Sequence, residues 1–296
     1  MEREHVYDCI VIGAGPGGLQ AAIYLGRYNR KVLVLDRGGG RTTHAKHIEN
    51  FLTQKVISGS EIIRLGLEQA RSFNVEIRKG LVTKVLKQDL FEVCAGDEKY
   101  FSKFVLVSSG GTENLPAIEN LHKFFGTSIF TCIDCDGYKT TGKKLVIIGN
   151  SLKTVHLAFG IKEMYTKDIT LVLYYDKAPE AYKAELEEEG IALVIGRPVK
   201  VLGVEALEAL EMQDGTRIPC EVILSYFGYK LNDSFLSGLT LKRDSENFKY
   251  LTSRTYESSL KGLYIVGPLT GDDQVVIAAG EGAIAALDMK KRLLEM

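Results

Sequence analysis

Two stretches of the chain show the same order of apolar and polar positions. Val6–Ile12 is a short, mostly β-branched apolar run, and a glycine turn and a helical apolar pattern, Leu19–Tyr28, follow it. Lys144–Ile148 repeats the arrangement and leads to a second helical pattern, Val155–Met164. A buried strand that runs through a tight turn into a helix begins a mononucleotide-binding unit. The pattern therefore predicts an α/β protein with two such units.

Each unit continues into another predicted strand, Lys31–Leu35 in the first and Ile169–Tyr174 in the second. The two copies are too far apart in the chain to be solenoid repeats, whose periods are about 20–50 residues, so they predict two nucleotide-type domains. The remaining patterns predict further strands and one long C-terminal helix: Gly80–Lys87, Leu90–Cys94, Lys103–Val107, Ile191–Ile195, Val199–Val204, Glu221–Tyr226, Leu263–Val266 and the helix Val275–Glu295.

Composition and charge narrow the class of protein. The chain has 296 residues, of which 45% are apolar and 25% charged, with a net charge of −1, so no overall field would attract nucleic acid or an anionic membrane. No secretion signal precedes the first strand, and Gly280–Gly282 interrupts the C-terminal apolar run before it could span a bilayer. Five cysteines with a single close pair exclude a secreted disulfide scaffold. We expect a soluble cytoplasmic protein that binds neither nucleic acid nor membrane.

The first glycine turn carries the motif G-x-G-x-x-G at Gly13, Gly15 and Gly18. Its first glycine permits the tight turn, its second lets a pyrophosphate approach the backbone, and its third lets helix and strand pack closely. Asp36 closes the next strand, where an acidic side chain accepts hydrogen bonds from a ribose. Since strand, helix and acid are in register, nucleotide binding is favoured over an ordinary glycine turn.

The cysteine pair Cys132-Ile-Asp-Cys135 is followed by Asp136 and Gly137, and it admits two chemical interpretations. Structural zinc needs two more ligands at similar spacing, and no second cluster exists among the other cysteines and the five histidines, so we expect no metal. Thiol–disulfide exchange needs only the pair and a group that tunes the thiolate, such as a helix N-terminus. Asp136 is a candidate proton donor or acceptor. The sequence favours redox chemistry over zinc, and zinc over a chance pair.

Together these residues resemble the low-molecular-weight thioredoxin reductase family over nearly the whole chain. The similarity rests on five segments: Gly13–Gly18, the loop Gly39–Phe51, Ser109-Gly110, the C-x-x-C-D-G sequence Cys132–Gly137, and Gln274 before a helix that carries Ala279–Gly282. The resemblance implies two Rossmann-like domains, the second inserted into the first, with FAD as the cofactor. The FAD domain would comprise residues 1–115 and 246–296, and residues 116–245 would form the central NAD(P)H-type domain with the dithiol. The family also implies a homodimer, a domain swivel and a thioredoxin-like protein disulfide as partner.

The same resemblance implies roles for individual residues. Cys135 would be the thiol nearer the flavin, Cys132 would attack the substrate disulfide, and Asp136 would act as the acid. Asn50 would approach the flavin, and the N–H groups at Gln274–Val275 would stabilise negative charge on the reduced ring. The positions implied to hold FAD are Gly13, Gly15, Pro16, Gly17, Gly18, Asp36, Arg37, Gly40, Arg41, Asn50, Val82, Ser109, Gly110, Gly267, Gln274 and Val275.

Departures from the family pattern cluster in the second unit. A full G-x-G-x-x-A is replaced by Gly149-Asn-Ser151-Leu-Lys-Thr154, which puts a side chain where a pyrophosphate would approach. The family's H-R-R-x-x-x-R is replaced by Leu173-Tyr-Tyr-Asp176 followed by Pro179, so the site is expected to lack arginine and to repel a 2′-phosphate. We therefore expect that this unit does not bind NADPH. NADH with Asp176 on the ribose is an alternative that leaves Ser151 unexplained.

A further departure is Pro268, where the family places an aspartate toward the ribityl chain of FAD; Asp272 or Asp273 are candidate substitutes. The leading prediction is a thioredoxin-reductase-like flavoenzyme fed by ferredoxin or a second flavin. Aromatic side chains are candidates for stacking on that flavin, although ordinary core roles are commoner: Tyr174, Tyr175, Phe227 and Tyr229. Lysines near the dithiol are candidates for docking ferredoxin, although a solvated face is commoner: Lys123, Lys139, Lys143, Lys144 and Lys153.

Three other functions remain open at this point. A conventional NADH-preferring thioredoxin reductase is the first, and a dithiol oxidase that uses oxygen is the second. The third is a flavin-binding redox sensor without turnover. The intact C-x-x-C-D-G sequence at Cys132–Gly137 argues against a purely structural role, because a scaffold needs no aspartate beside its thiols.

Overall fold

The computed structural model describes residues 6–174, 180–246 and 248–296. The chain divides into two compact units, one formed by residues 1–112 and 230–296 and the other by residues 113–229. The predicted domain boundaries at 115/116 and 245/246 differ from these divisions, because residues 230–245 lie with the first unit.

The strands in chain order are β1 (Val6–Ile12), β2 (Val32–Asp36), β3 (Glu76–Lys79), β4 (Val82–Lys87), β5 (Phe91–Ala95), β6 (Glu98–Val107), β7 (Gly111–Glu113), β8 (Ile129–Phe130), β9 (Leu145–Gly149), β10 (Ile169–Leu173), β11 (Ala192–Ile195), β12 (Pro198–Leu202), β13 (Ala209–Met212), β14 (Arg217–Pro219), β15 (Val222–Tyr226), β16 (Tyr229–Leu231) and β17 (Leu263–Ile265).

The α-helices are α1 (Pro16–Arg27), α2 (Arg41–His44), α3 (Gly59–Ser72), α4 (Leu121–Phe124), α5 (Ile133–Asp136), α6 (Leu152–Met164), α7 (Glu180–Glu188) and α8 (Val275–Leu294). Single 3-10 turns lie at Gly137–Thr140, Ser234–Leu236 and Gly267–Leu269. Among the described residues, no helix is both long and apolar enough to cross a bilayer.

The first unit is built on a sheet in the order β3-β2-β1-β6-β5-β4, with β17 also paired to β6. Strands β1, β2, β3, β6 and β17 are parallel, so their carboxyl ends meet at one edge. Alternate residues of β1 serve two cores: Cys9 and Val11 pack with α1 and α8, whereas Ile10 and Ile12 pack toward β4 and β5. Burial on both faces explains why the strand is a continuous apolar run.

The second unit has a parallel sheet in the order β11-β10-β9-β15-β8, and a separate antiparallel sheet β12-β13-β14. Val146 and Ile148 of β9 face a core that includes residues of the antiparallel sheet. Leu145 and Ile147 face the core beneath α6 and α7. Strand order reverses on either side of β9, which is where ligands bind in open α/β sheets. Two Rossmann-like sheets confirm the predicted fold class.

Two helices longer than a single turn were missed from the sequence. α3 follows Ser58, whose hydroxyl accepts a hydrogen bond from the Glu61 N–H. Ser58-x-x-Glu61 is a capping-box spacing, so the signal was present. α7 is rich in Glu and has no wide apolar stripe, and its signal was correspondingly weak.

Candidate active site

The turn after β1 is too tightly packed to hold side chains. Gly13 has φ of +101°, and a Cβ there would lie 2.4 Å from the Ser108 carbonyl oxygen. A Cβ at Gly18 would lie 2.1 Å from the Gly13 oxygen, while the Gly18 N–H donates to Ser108 Oγ at 2.9 Å. Gly15 caps α1 without a side chain, and Pro16 begins the helix. The turn therefore presents bare backbone and a helix N-terminus, as a pyrophosphate requires.

Asp36 is fixed beside this turn at the end of β2. Its Oδ1 accepts a hydrogen bond from the Ala14 N–H at 3.0 Å, and its Oδ2 accepts one from the Gly38 N–H at 2.8 Å. The Gly80 N–H donates to the Asp36 carbonyl oxygen, which brings the start of β4 and Val82 to the same edge of the sheet. Each carboxylate oxygen keeps acceptor capacity, so Asp36 can accept further hydrogen bonds from a ribose in the position where it is held.

Helix α8 completes the site by direct backbone contact with α1. A Cβ at Gly282 would lie 2.0 Å from the Gly17 carbonyl oxygen, and a Cβ at Gly17 would lie 2.8 Å from the Ala278 oxygen. Glycine at both positions lets the two helices approach more closely than any side chain would allow. The C-terminal segment therefore packs directly on the helix that begins at the first glycine turn.

Two polar contacts join the loop before α3 to the N-terminus of α8. Arg41 Nη1 lies 3.0 Å from Asp273 Oδ2, and both side chains are half-buried. Asn50 Nδ2 donates to Gln274 Oε1 at 3.1 Å. Gln274 is the N-cap residue of α8, and Val275 begins that helix. The structure thus brings Arg41, Asn50 and Gln274 together, and it uses Asp273, one of the two candidate substitutes at the ribityl chain, in an ion pair.

The other predicted flavin positions lie on the loops of the same unit. Ser109 Oγ donates to the Asn232 carbonyl oxygen at 2.6 Å, and Gly110 has φ of +65°. Gly267 has φ of +75°, and its N–H donates to the carboxylate of Glu281. Val82 is buried, Gly40 caps α2, and the side chain of Arg37 is exposed.

Glu281 is an acid in the core of the first unit, with only 3% of its surface exposed. Burial raises the pKa of its carboxyl to about 7, and the nearby Asp272 adds to the shift, while the hydrogen bond from the Gly267 N–H acts in the opposite direction. The carboxylate therefore anchors the turn that begins at Gly267 and is itself close to titration at neutral pH.

Cys132 and Cys135 form a disulfide across the single turn of α5, with their Cα atoms 5.3 Å apart. Cys132 is the N-cap residue, and its Sγ accepts a hydrogen bond from the Cys135 N–H at 3.2 Å. Both residues and Asp136 are half-buried. Within the described ranges, no three His, Cys, Asp or Glu side chains are grouped to hold a metal ion. The geometry is that of a redox disulfide.

Asp136 is paired with a residue that sequence reasoning did not assign to the site. Lys139 Nζ lies 2.8 Å from Asp136 Oδ1, and each side chain is 19% exposed. The same ammonium group lies 5.3 Å from the ring centre of Phe130. In the sequence, the only indication of the Asp136–Lys139 ion pair was the spacing of three residues, which a turn brings together.

The turn after β9 in the second unit differs from the turn after β1. A Cβ at Gly149 would lie 2.2 Å from Thr154 Oγ1, so a threonine fills the space at the helix–strand contact. Thr154 is fully buried and its hydroxyl has no hydrogen-bond partner in the described structure. Ser151 is the N-cap residue of α6, but its side chain caps nothing.

A cavity of about 570 Å³ lies at the carboxyl edge of this sheet. Its lining residues are Pro116, Ala117, Asn150, Tyr174, Arg197 and Phe227. Tyr174 and Phe227 meet edge to face, with ring centres 5.5 Å apart. The expectation that the site lacks arginine is therefore wrong, because Arg197 follows β11 and parallel strands bring their carboxyl ends to one edge. Tyr175, Asp176 and Pro179 lie outside the described residues.

A sequence model of the pyridine nucleotide-disulphide oxidoreductase family matches residues 7–285. The chain belongs to this family. Thioredoxin reductase of Listeria innocua is 26% identical over 312 residues, covering 99% of this chain and 96% of that protein. The "34.2 kDa protein in rubredoxin operon" of Clostridium pasteurianum is 27% identical over 310 residues, covering 98% of each chain. The solved structure of a putative thioredoxin reductase from Bacillus anthracis superposes with a TM-score of 0.89 at 26% identity, covering 97% of this chain and 99% of that one.

These findings confirm the resemblance to low-molecular-weight thioredoxin reductases. The protein is a thioredoxin-reductase-like flavoprotein disulfide oxidoreductase, and its cofactor is FAD. The first unit fits that cofactor, because Gly13 and Gly18 leave no room for side chains and Asp36 stands beside them. When bound, FAD supplies two-electron exchange with a disulfide.

Ser108, Arg197 and Glu281 were not among the predicted site residues, and Lys139 was named only as a candidate for docking ferredoxin. Ser108 follows the strand that adjoins β1, so its contact with Gly18 was foreseeable from strand order. The positions of Lys139 and Arg197 in the site depend on how turns bring side chains together, which the sequence does not show. Glu281 lies between two glycines on a helix, and only the three-dimensional packing shows that its carboxylate points into the core.

Proposed function

We propose that this enzyme passes electrons from FAD through Cys132 and Cys135 to a protein disulfide such as that of thioredoxin, with reduced ferredoxin or a second flavin, rather than NADPH, as donor. The observation that carries the donor part is the turn Gly149–Thr154, where Ser151 and Thr154 stand at the positions that the family pattern gives to glycine and alanine.

The half-buried cysteines support the transfer to a protein disulfide. Thiol–disulfide exchange requires an attacking thiolate that a partner sulfur can reach, and neither thiol is sealed in the core. Cys132 attacks the substrate and Cys135 then resolves the mixed disulfide, as the family resemblance implies. The other thiols are poor candidates, since burial raises the pKa of Cys9 and raises that of Cys220 to about 12.

Ser151 and Thr154 support a donor other than NADPH. Ser151 carries its side chain at the start of α6, where the pyrophosphate of a dinucleotide would meet backbone N–H groups. Thr154 occupies the contact that a small residue leaves open for close packing. The occurrence of the Clostridium pasteurianum relative in a rubredoxin operon is in keeping with supply by an electron-transfer protein.

Different features of the second unit support the two proposed donors, ferredoxin and a second flavin. Lys143, Lys144 and Lys153 are exposed in the unit that carries the dithiol and would attract an acidic protein such as ferredoxin. The Tyr174–Phe227 pair lines the cavity and offers aromatic edges to a second flavin.

A conventional NADH-dependent reductase is the second candidate, and the cavity with Arg197 favours it. One guanidinium is enough to contact a pyrophosphate, whereas reading a 2′-phosphate as well would require further cations. Asp176, which follows β10 in the sequence, would accept a hydrogen bond from an unmodified ribose. Under this candidate, Arg197→Met would abolish NADH-dependent turnover.

Turnover under strictly anaerobic conditions tests the proposal. Oxidised thioredoxin serves as acceptor, and NADPH, NADH or reduced ferredoxin is supplied in turn while new thiols are counted. We expect turnover with ferredoxin and none with NADPH, and Cys135→Ser should reduce the ferredoxin-driven rate to background without loss of bound FAD. Turnover with NADPH that equals or exceeds the ferredoxin rate would overturn the donor assignment, and NADH-driven turnover lost in Arg197→Met would establish the second candidate.

A further inference from the structure

The C-x-x-C turn brings negative charge close to thiols that must ionise. Asp134 lies between the two cysteines and Asp136 follows the second. A carboxylate within a few ångströms disfavours the formation of another anion. Asp136 alone would therefore oppose the thiolate that thiol–disulfide exchange requires.

Lys139 lies where it offsets this charge. Its Nζ is 2.8 Å from Asp136 Oδ1, and because only 19% of each side chain is exposed, solvent screens the pair less than it would screen a surface ion pair. The ammonium group also lies 5.3 Å from the ring centre of Phe130 and 5.6 Å from that of Tyr138. Phe130 belongs to β8, which leads directly to Cys132, so the lysine is held against the segment that carries the dithiol.

The backbone between the two partners is fixed as well. Thr140 is buried and its hydroxyl donates to the Gly137 carbonyl oxygen at 2.7 Å. A Cβ at Gly137 would lie 2.8 Å from the ring of Tyr165, so this turn packs directly on that ring. The packed turn therefore fixes the backbone from which the Asp136 and Lys139 side chains extend.

We propose that Lys139 is a positioning residue for the redox disulfide: by pairing with Asp136 it holds the carboxylate in place and offsets its charge, so that a thiolate forms beside it. The inference rests on the proposed disulfide exchange. It concerns the effect of Lys139 on the position and charge of Asp136, which does not depend on which donor reduces the flavin.

The exchange itself balances in two steps. The Cys132 thiolate attacks the substrate disulfide, a Cys132–substrate S–S bond forms, the substrate S–S bond breaks, and the departing thiolate takes up a proton. The Cys135 thiolate then attacks the Cys132 sulfur, the Cys132–Cys135 bond forms, and the second substrate thiolate leaves and is protonated. The dithiol loses two electrons and two protons, and the substrate gains both.

The test measures thiolate formation directly in the full-length FAD-bound protein. The protein is reduced chemically, treated briefly with iodoacetamide between pH 5 and pH 10, and the label on Cys132 is counted by peptide mass spectrometry. This readout needs no electron donor and separates Cys132 from Cys94, whose pKa burial raises. The titratable groups on this turn, or packed on it at Gly137, include Asp134, Asp136, Tyr138, Lys139 and Tyr165, and only Lys139 is changed first.

We expect Lys139→Met to move the midpoint of labelling to higher pH and to slow labelling at pH 7 by about threefold to tenfold, since one pH unit corresponds to a factor of about ten. Lys139→Arg should restore the wild-type profile, because it keeps the charge. The matched control Lys167→Met removes an exposed lysine of the same unit and should leave the labelling profile unchanged.

The decisive comparison adds Asp136→Asn. If Lys139 acts through Asp136, Lys139→Met should have little further effect in that background, as a double-mutant cycle measures. An unchanged midpoint in folded Lys139→Met, or an equal shift with and without Asp136, would overturn the inference. Failure of the reduced wild-type protein to exchange with any disulfide would instead refute the proposed function.

Discussion

The two glycine turns of this molecule start from the same strand–turn–helix plan and end differently. After β1, Gly13 and Gly18 are so closely packed that a Cβ on either would lie less than 2.5 Å from a backbone oxygen. After β9, Gly149 is packed just as closely, but against the side chain of Thr154. At the first turn, backbone packs directly on backbone. At the second turn, the side chain of Thr154 fills the contact between helix and strand.

The surroundings of the two turns differ in the same direction. Asp36 accepts two backbone hydrogen bonds beside the first turn, and Ser108 accepts one from Gly18. Beside the second turn, the hydroxyl of Thr154 is buried without a partner in the described structure. The side chains of Asp36 and Ser108 are hydrogen-bonded at the first turn, whereas the buried Thr154 hydroxyl at the second turn is not, and an unpartnered buried hydroxyl costs stability. The two turns therefore share a backbone plan and differ in the side chains that fill them.

The largest expected effect comes from the first turn. Gly13→Val should yield colourless protein without FAD, because valine would have to adopt φ of +101° and its Cβ would lie 2.4 Å from the Ser108 oxygen. Strain of this kind costs several kcal/mol, about 3 or more, at a position that cannot relax. The absorbance spectrum of the purified variant measures the bound flavin. Ser151→Gly, the matched change in the second turn, should leave the protein yellow; a yellow Gly13→Val protein would contradict the assignment.

Substitution of Glu281, which is buried in the first unit, should have an intermediate effect on stability. The pKa of the Glu281 carboxyl is about 7 in the folded protein, above its usual value of 4.5. Between about pH 4.5 and pH 7 the folded protein therefore binds a proton that the unfolded chain has lost. Stability from this group is therefore fully present below about pH 4.5 and is lost as pH rises through 7. Glu281→Gln removes the loss, so the FAD-free variant should be more stable than wild type at pH 8, by on the order of 2 kcal/mol, and nearly equal at pH 4.5.

Urea unfolding of the FAD-free proteins at several pH values measures this difference. Glu295→Gln, at an exposed residue beyond the end of α8, is the matched control and should show no pH-dependent gain. A Glu281→Gln protein that is less stable at pH 8 would show that the carboxylate is held by more favourable contacts than the hydrogen bond from Gly267.

The smallest expected effect is a change in stability on substitution of Thr154 in the second turn. Thr154→Val keeps the shape of the side chain and removes the unpartnered hydroxyl, so it should stabilise the protein by about 1 kcal/mol. Thermal unfolding monitored in the FAD-bound protein measures the change, with Thr166→Val as a contrast, since the Thr166 hydroxyl donates to the Lys143 carbonyl oxygen. Destabilisation by Thr154→Val as large as that by Thr166→Val would mean that the Thr154 hydroxyl has a partner after all.

Sequence reasoning reached the fold because its evidence was local. The β-branched run Val6–Ile12 and the glycines that follow it determine a strand, a turn and a helix within about twenty residues, a scale on which pattern and propensity are informative. The C-x-x-C spacing likewise determines a disulfide, because one helical turn brings Cys132 and Cys135 within bonding distance.

What sequence reasoning missed depended on distant segments. Arg197 reaches the cavity because β11 ends at the same sheet edge as β9 and β10. The pairing of Arg41 with Asp273 joins residues 232 positions apart. Glu281 is polar by composition but points into the core of the first unit, and no periodicity in the sequence distinguishes it from an exposed glutamate. These features follow from tertiary packing, which overrides local pattern.

The reduction of the flavin by pyridine nucleotides tests the central claim most directly. The FAD-bound protein is titrated anaerobically with NADPH and then with NADH while the flavin absorbance is recorded, and reduced ferredoxin is added last. We expect NADPH to leave the flavin oxidised and reduced ferredoxin to bleach it. Rapid bleaching by stoichiometric NADPH would contradict this expectation, because the turn Gly149–Thr154 would then serve the nucleotide that its side chains are proposed to exclude.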